Sequence, residues 1–194
     1  MGYLLCIKGK SNTGKDSIAK KLLKLPETRR FVYYTTRPMR DGEKQDVDYH
    51  FVTENTLKGA MERGTLIEYR KLYSGIYFTV DNGELDGDEN IVYICTPSPS
   101  QCVAMKKRWG DKVIEVTIEA PLMTRLERYI KREKKQKKDK ADALSIVMRL
   151  YDEETCDEWK EEALNENTKR FVNDESTKIE DVVKQIIEYI NTFG

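Results

Sequence analysis

The 194-residue sequence predicts an α/β fold in which helices cover both faces of a parallel sheet, a three-layer arrangement. Three features point there. A short apolar run, Tyr3 to Lys8, leads into a glycine-bearing loop and then an amphipathic helix. Ile91 to Cys95 and Val113 to Ile118 are continuous rather than alternating apolar runs, as strands buried on both faces are. Strand-like and helix-like stretches alternate along most of the chain, without internal repeats.

Taken in order, Tyr3 to Lys8 is the first strand, and Ser17 to Leu23 is a helix ending before Pro26. Phe31 to Tyr34 is the second strand candidate. From 35 to 80 the texture changes to a Pro/Gly/Arg loop, a strand Asp48 to Val52, and a helix Glu54 to Arg63 with Thr53 as its cap. Leu66 to Tyr73 and Ile76 to Val80 follow as strands joined by the turn signal Ser74-Gly75. This stretch reads as a small antiparallel subdomain inserted into the core. The core resumes with Ile91 to Cys95, a helix near Ser100 to Trp109, and the strand Val113 to Ile118. A helix after Pro121 runs into the lysine-rich stretch 131–140. One long helix from Asp142 to Asn165, a strand Arg170 to Asn173 and an amphipathic helix Ile179 to Ile190 complete the chain.

Composition narrows the function classes. Lysine plus arginine and aspartate plus glutamate both number 34, so overall charge predicts neither nucleic acid nor an acidic partner. The lysines of 131–140 lack interleaved aromatics and read as a solvated helix surface. No apolar run approaches the ~20 residues a membrane span needs, and no leader-like segment opens the sequence, which predicts a cytoplasmic protein. Cys6, Cys95, Cys102 and Cys156 show no metal-ligand spacing, and Cys6 and Cys95 sit in apolar runs suited to buried, reduced thiols. His50, the single histidine, reads as a strand residue, and Trp109 and Trp159 as packing residues.

Gly9-Lys10-Ser11-Asn12-Thr13-Gly14-Lys15-Asp16-Ser17 has the Gly-x-x-x-x-Gly-Lys form of a phosphate loop, between an apolar strand and a helix. Its backbone N–H groups converge on phosphate oxygens, aided by the positive end of the following helix. Lys15 is placed for the β- and γ-phosphates of ATP, as the catalytic cation. Asp16 stands where a serine or threonine hydroxyl usually binds Mg²⁺; a carboxylate is also a hard oxygen ligand, so Asp16 is the candidate metal ligand, with Ser17 offering a hydroxyl beside it.

A second phosphate-handling segment follows: Thr35-Thr36-Arg37-Pro38-Met39-Arg40-Asp41-Gly42-Glu43, then Asp48-Tyr49-His50-Phe51. Arg37 and Arg40 carry planar forks suited to a monophosphate, Tyr49 and Tyr77 carry hydroxyls for it, and Glu43 can hold an arginine in place. With Leu66-Ile67-Glu68-Tyr69, these residues resemble the acceptor-binding segment of guanylate kinases, and the resemblance extends over essentially the whole chain. It implies a P-loop NTPase core (1–32, 81–124 and 150–194), a small mixed acceptor-binding subdomain at 33–80, and a helical lid at 125–149. It implies base recognition by Glu68 and Thr79, and phosphate contact by Tyr77. The same comparison marks departures: Tyr33 replaces a serine, and Tyr93 and Cys95 replace two strand-end aspartates, where the family recognises guanine and organises its metal site.

Phosphoryl transfer needs positive charge around the migrating group. Arg128 and Arg132, one helical turn apart, resemble the family's lid arginines, with Arg125 an alternative to Arg128; Arg149-Leu150 resembles the Arg-Leu further on. Together these imply an ATP- and Mg²⁺-dependent kinase acting on GMP or dGMP, with small-molecule nucleotides rather than nucleic acid or membrane as partners. Two alternatives stand beside it: the same chemistry on another nucleoside monophosphate or ribose 1,5-bisphosphate, which the Gly-Lys-Asp-Ser loop also resembles, and a non-catalytic binding module.

Overall fold

A computed structural model describes residues 2–72, 74–87, 90–135, 143–165 and 168–193. It contains two sheets. The larger is parallel throughout, in the order β2-β7-β1-β8-β9, where β1 is Tyr3–Lys8, β2 Thr28–Arg30, β7 Val92–Cys95, β8 Val113–Glu119 and β9 Lys169–Val172.

The central strand shows why its sequence is apolar without alternation. Leu5 and Ile7 point to one face, against Ile18 and Leu22 of α1 (Lys15–Leu22) and Val182 and Ile186 of the C-terminal helix Ile179–Ile190. Leu4 and Cys6 point to the other, against Cys102 and Met105 of the helix Pro99–Trp109. Successive side chains of a strand alternate between faces, and here both faces are covered. Trp109 packs edge-on against Phe31, 5.7 Å between centroids.

Lys8 is the exception on β1. Its ammonium is 1% exposed and lies 2.8 Å from both Glu115 and Glu162. Burial alone would lower its pKa; the hydrogen bonds to the two carboxylates outweigh that and raise it. The strand that delivers the phosphate loop is thereby tied to its neighbour β8 and to a helix, Asp157–Leu164.

The smaller sheet, β4-β3-β6-β5, is formed by β3 (Tyr34–Thr35), β4 (His50–Phe51), β5 (Leu66–Leu72) and β6 (Gly75–Val80). Leu57 and Ala60 of α2 (Glu54–Glu62) pack on Phe78 and Val80 of β6.

Four expectations change. The stretch 31–34 is not one strand: β2 ends at Arg30 and pairs with the large sheet, while β3 begins at Tyr34 in the small one, so 31–33 is the crossing between sheets. The inserted sheet is not antiparallel throughout but mixed, as the family resemblance implies, because β3 and β4 are parallel. Thr53 occupies the cap position of α2 without a side-chain cap bond. The long helix is two, α5 (Ala143–Thr155) and α6 (Asp157–Leu164), broken at Cys156, which has an extended backbone. The preceding helices are α3 (Pro99–Trp109) and α4 (Leu122–Lys135), and the last is α7 (Ile179–Ile190). Positions 136–142 of the lysine-rich and lid stretch lie outside the described residues. None of the described helices is long and apolar enough to cross a membrane.

Candidate active site

The phosphate loop leaves β1 at Lys8 and enters α1 at Lys15. Its turns use backbone conformations that few residues adopt: Gly14 has φ 93° and Asn12 φ 63°. At Gly14 space is closed as well, since a Cβ there would lie 2.3 Å from Asn173 Nδ2. That amide donates to the Thr13 carbonyl at 2.6 Å, so the end of β9 holds the loop from outside. Lys15 folds back over the loop, its ammonium 3.5 Å from the Lys10 carbonyl. Asp16, in the first turn of α1, and Ser17 are exposed.

In the acceptor segment the two arginines differ. Arg37 is 5% exposed and fully engaged: Nη1 and Nη2 donate to Glu43 at 2.7 and 2.6 Å, and Nε donates to the Tyr77 hydroxyl at 2.9 Å. Its guanidinium also lies 5.1 Å from the Tyr49 ring centroid and 5.3 Å from that of Phe51. Arg40 is exposed, and its main-chain N–H donates to Glu43 at 2.8 Å, which leaves its fork to the solvent side. Glu43 thus does what an orienting carboxylate should, and is itself lowered to about 2, first by the Arg37 hydrogen bonds and then by the Arg40 amide. Burial pushes the Tyr49 hydroxyl up, keeping it a donor.

Glu68 on β5 accepts from Thr79 Oγ1 on β6 at 2.8 Å, the cross-strand pair the sequence expects to meet a base. Gln101 of α3 donates to the same oxygen at 3.0 Å. Tyr33 and Cys95 line the wall nearby; burial raises the Tyr33 hydroxyl, which meets no hydrogen-bond acceptor or donor of good geometry among the described residues. Cys95 Sγ lies 3.6 Å from Cys6 Sγ, and burial pushes the Cys6 thiol up.

One cavity of about 680 Å³ joins the two halves. It runs from Asp16 at the loop to Glu43, Tyr49 and Tyr77 of the acceptor segment, and to Tyr33, Cys95 and Gln101 at its inner wall. A second, of about 420 Å³, borders the loop at Lys10 and Thr13 on the side of β8 and Trp159.

The arginines expected in a lid separate. Arg128 Nη1 donates to the Asn12 and Thr13 carbonyls, both at 3.3 Å, placing it on the loop. Arg132 instead stacks on Tyr129, 4.6 Å from the ring centroid. Arg125 is 2% exposed and donates to the Ser11 carbonyl at 2.9 Å. Arg149 is on α5, its side chain outside the described residues.

Among the described residues no group of three or more His, Cys, Asp or Glu could hold a metal ion unaided. A single carboxylate beside a phosphate cradle fits Mg²⁺ nonetheless, because Mg²⁺ takes one or two protein carboxylates and completes its shell with substrate phosphates and water.

Four contributors carried no adequate sequence signal. Gln101 was readable as the second half of a capping box with Ser98, but not as a partner of Glu68. Arg70, two residues beyond Glu68 on β5, lines the large cavity. Asn173 and Glu153 reach the loop from 160 and 142 residues away, which no local pattern reports.

Comparison with known proteins agrees with this geometry. The guanylate kinase family profile matches residues 1–191. A guanylate kinase of Legionella pneumophila (strain Lens) is 39% identical over 79 residues, which is 40% of this chain and 38% of that protein's length. The alignment with the guanylate kinase of Chlorobaculum tepidum covers 95% of each chain at 26% identity. The crystal structure of guanylate kinase from Anaplasma phagocytophilum shares the fold, with a TM-score of 0.65 and 20% identity over 98% of this chain and 85% of that one. On the match that spans nearly every residue, this chain belongs to the guanylate kinase family.

Proposed function

We propose that this chain is an ATP-dependent nucleoside monophosphate kinase that transfers the γ-phosphate of ATP to GMP or dGMP. The observation that carries the reading is the shared cavity: the phosphate loop's Asp16 and the acceptor segment's Glu43, Tyr49 and Tyr77 face one space of about 680 Å³.

An oxygen of the acceptor phosphate attacks the γ-phosphorus in line, the bond to the β–γ bridging oxygen breaks, and its electrons leave with ADP. The loop amides and Lys15 hold the donor phosphates and stabilise the leaving charge. Arg40 grips the acceptor phosphate; Arg37, fixed by Glu43, presents Tyr77 to it, and Tyr49 donates from its side. Arg128 and Arg132 belong to the lid, residues 125–149, with Arg149 at its far root; they bring positive charge to the migrating group on closure. Asp16 and the nucleotide would hold Mg²⁺, which would neutralise part of the phosphate charge. Glu68 and Thr79 read the base. The insert is residues 33–80, and the rest of the chain outside the lid is the core. Buried thiols at Cys6, Cys95 and Cys102 suit a reducing compartment such as the cytoplasm.

A coupled assay with ATP–Mg²⁺ against a panel of nucleoside monophosphates and ribose 1,5-bisphosphate tests the proposal. GMP and dGMP should give ADP fastest. Turnover of another acceptor with GMP inert would overturn the guanine assignment, and no turnover with any acceptor would overturn the kinase reading.

A further inference from the structure

The first half of the phosphate loop is gripped by side chains from the helices that flank the lid. Glu153 of α5 accepts from the Ser11 main-chain N–H at 3.1 and 3.0 Å, and from the Ser11 hydroxyl. Arg125 of α4 donates to the Ser11 carbonyl, and its two η nitrogens pair with Glu153 and Glu154. Glu154 in turn pairs with Lys10 at 2.7 Å. Two cations and two carboxylates therefore close a neutral ring around Ser11. The next residue, Asn12, is the one non-glycine of the loop with a left-handed backbone. Such conformations persist only where the surroundings over-determine them. The ring supplies that constraint immediately upstream, fixing all three polar groups of Ser11, namely N–H, C=O and hydroxyl.

We infer that Glu153 is a positioning residue for the donor nucleotide, acting with Arg125 through Ser11. Its carboxylate is taken up by Ser11 and Arg125. It holds residues 10–13 in the shape in which the remaining loop amides converge on the triphosphate, so the ordering cost is met before ATP arrives. Because Glu153 and Arg125 sit on α5 and α4, loop shape and the roots of the lid are set by one network. The inference rests on the kinase reading, and its failure is separable from the failure of that reading.

The test is calorimetric titration of the full chain with ATP–Mg²⁺, and separately with GMP. Glu153→Ala should weaken ATP–Mg²⁺ binding at least tenfold and raise its KM in proportion, with GMP binding within twofold of the unmutated protein. Glu153→Gln retains a carbonyl for Ser11 but loses the ion pair, and should fall between. Ser11→Ala removes one of the three anchors, keeps the Arg125 pairing, and should weaken ATP binding by a smaller factor. ATP binding within twofold in Glu153→Ala would overturn the inference, and tighter binding would show that the carboxylate opposes the nucleotide. Equal losses for ATP and GMP would reduce Glu153 to a general structural residue. If Glu153→Ala does not fold, the Gln and Ser11 variants decide on the same criteria. An unmutated protein that binds no ATP overturns the kinase reading itself.

Discussion

Glu43 receives both η nitrogens of Arg37, at 2.7 and 2.6 Å, and so takes that fork out of solvent, whereas Arg40 meets Glu43 through its main-chain N–H. Two arginines three residues apart have divided the work. Arg37 is a strut, and Arg40 keeps its fork at the surface.

Substitution should separate these roles. Arg40→Ala is expected to raise the acceptor KM by about 10- to 100-fold, the loss of one or two charge-assisted hydrogen bonds, with thermal stability nearly unchanged. Arg37→Ala should lower the melting temperature and leave Glu43 with the Arg40 main-chain N–H but no ion pair, with the acceptor KM also rising because Tyr77 and Tyr49 lose their support. Steady-state kinetics and thermal melts on both variants check this. Equal melting temperatures would refute the division.

Acid should expose the same pair. Glu43 is depressed to about 2 from an ordinary 4.5, so the stability it contributes is complete above about 4.5 and disappears as pH falls towards 2. Glu43→Gln should be less stable than the unmutated protein at pH 6, and the gap should close on acidification. A gap that is constant from pH 6 to 2.5 would show that Glu43 does not carry the linkage.

Gly75 opens β6 with φ 146°, and a Cβ there would lie 2.8 Å from both the main-chain nitrogen and the Cβ of Arg37. Backbone cannot yield as a flexible side chain can. Gly75→Ala should therefore cost about 1–3 kcal/mol of stability and weaken the acceptor more than ATP. Urea denaturation and separate KM values for the two substrates measure it.

Lys15→Ala should cut kcat by about 100- to 1,000-fold, the usual effect of removing one donor aimed at developing charge. Single-turnover rates distinguish this from lost binding; an unchanged chemical step would contradict the role.

Lys8→Met should be among the most destabilising single changes in the chain. It leaves Glu162 with the Thr117 hydroxyl and Glu115 with Lys106 as partners, and removing the buried cation between them costs up to about 3–5 kcal/mol. Chemical denaturation gives the value, and a change below about 1 kcal/mol would mean the carboxylates find protons or water instead.

Legibility from sequence followed range of interaction. The bounds of β1 and α7 were read residue for residue, because an uninterrupted apolar run and a strong helical period are local signals. The phosphate loop and the acceptor segment stand out as motifs because their chemistry is compressed into a few adjacent residues. The break at Cys156 carries no local signal, as the helical pattern continues across it without glycine or proline. The strand candidate at 31–34 was misplaced because Phe31 and Val32 are buried as a strand would be, yet serve as the passage between sheets. Arg125 and Arg128 were ambiguous in sequence; both reach the loop, one at Ser11 and one at Asn12 and Thr13, while Arg132 turns to Tyr129. Partners of the loop such as Glu153 and Asn173 are fixed by tertiary placement alone.

Gln101 serves two masters with one amide. Its oxygen accepts from the Ser98 N–H at 3.0 Å to start α3, and its nitrogen donates to Glu68 at 3.0 Å. The two duties fix which way the amide points. They also mean that a helix-start residue doubles as a reporter of the acceptor pocket. In a comprehensive mutational scan, position 101 should track with Glu68 and Thr79 in substrate preference rather than with the caps of other helices, and Gln101→Glu, which sets two carboxylates against each other, should be the worst tolerated isostere there.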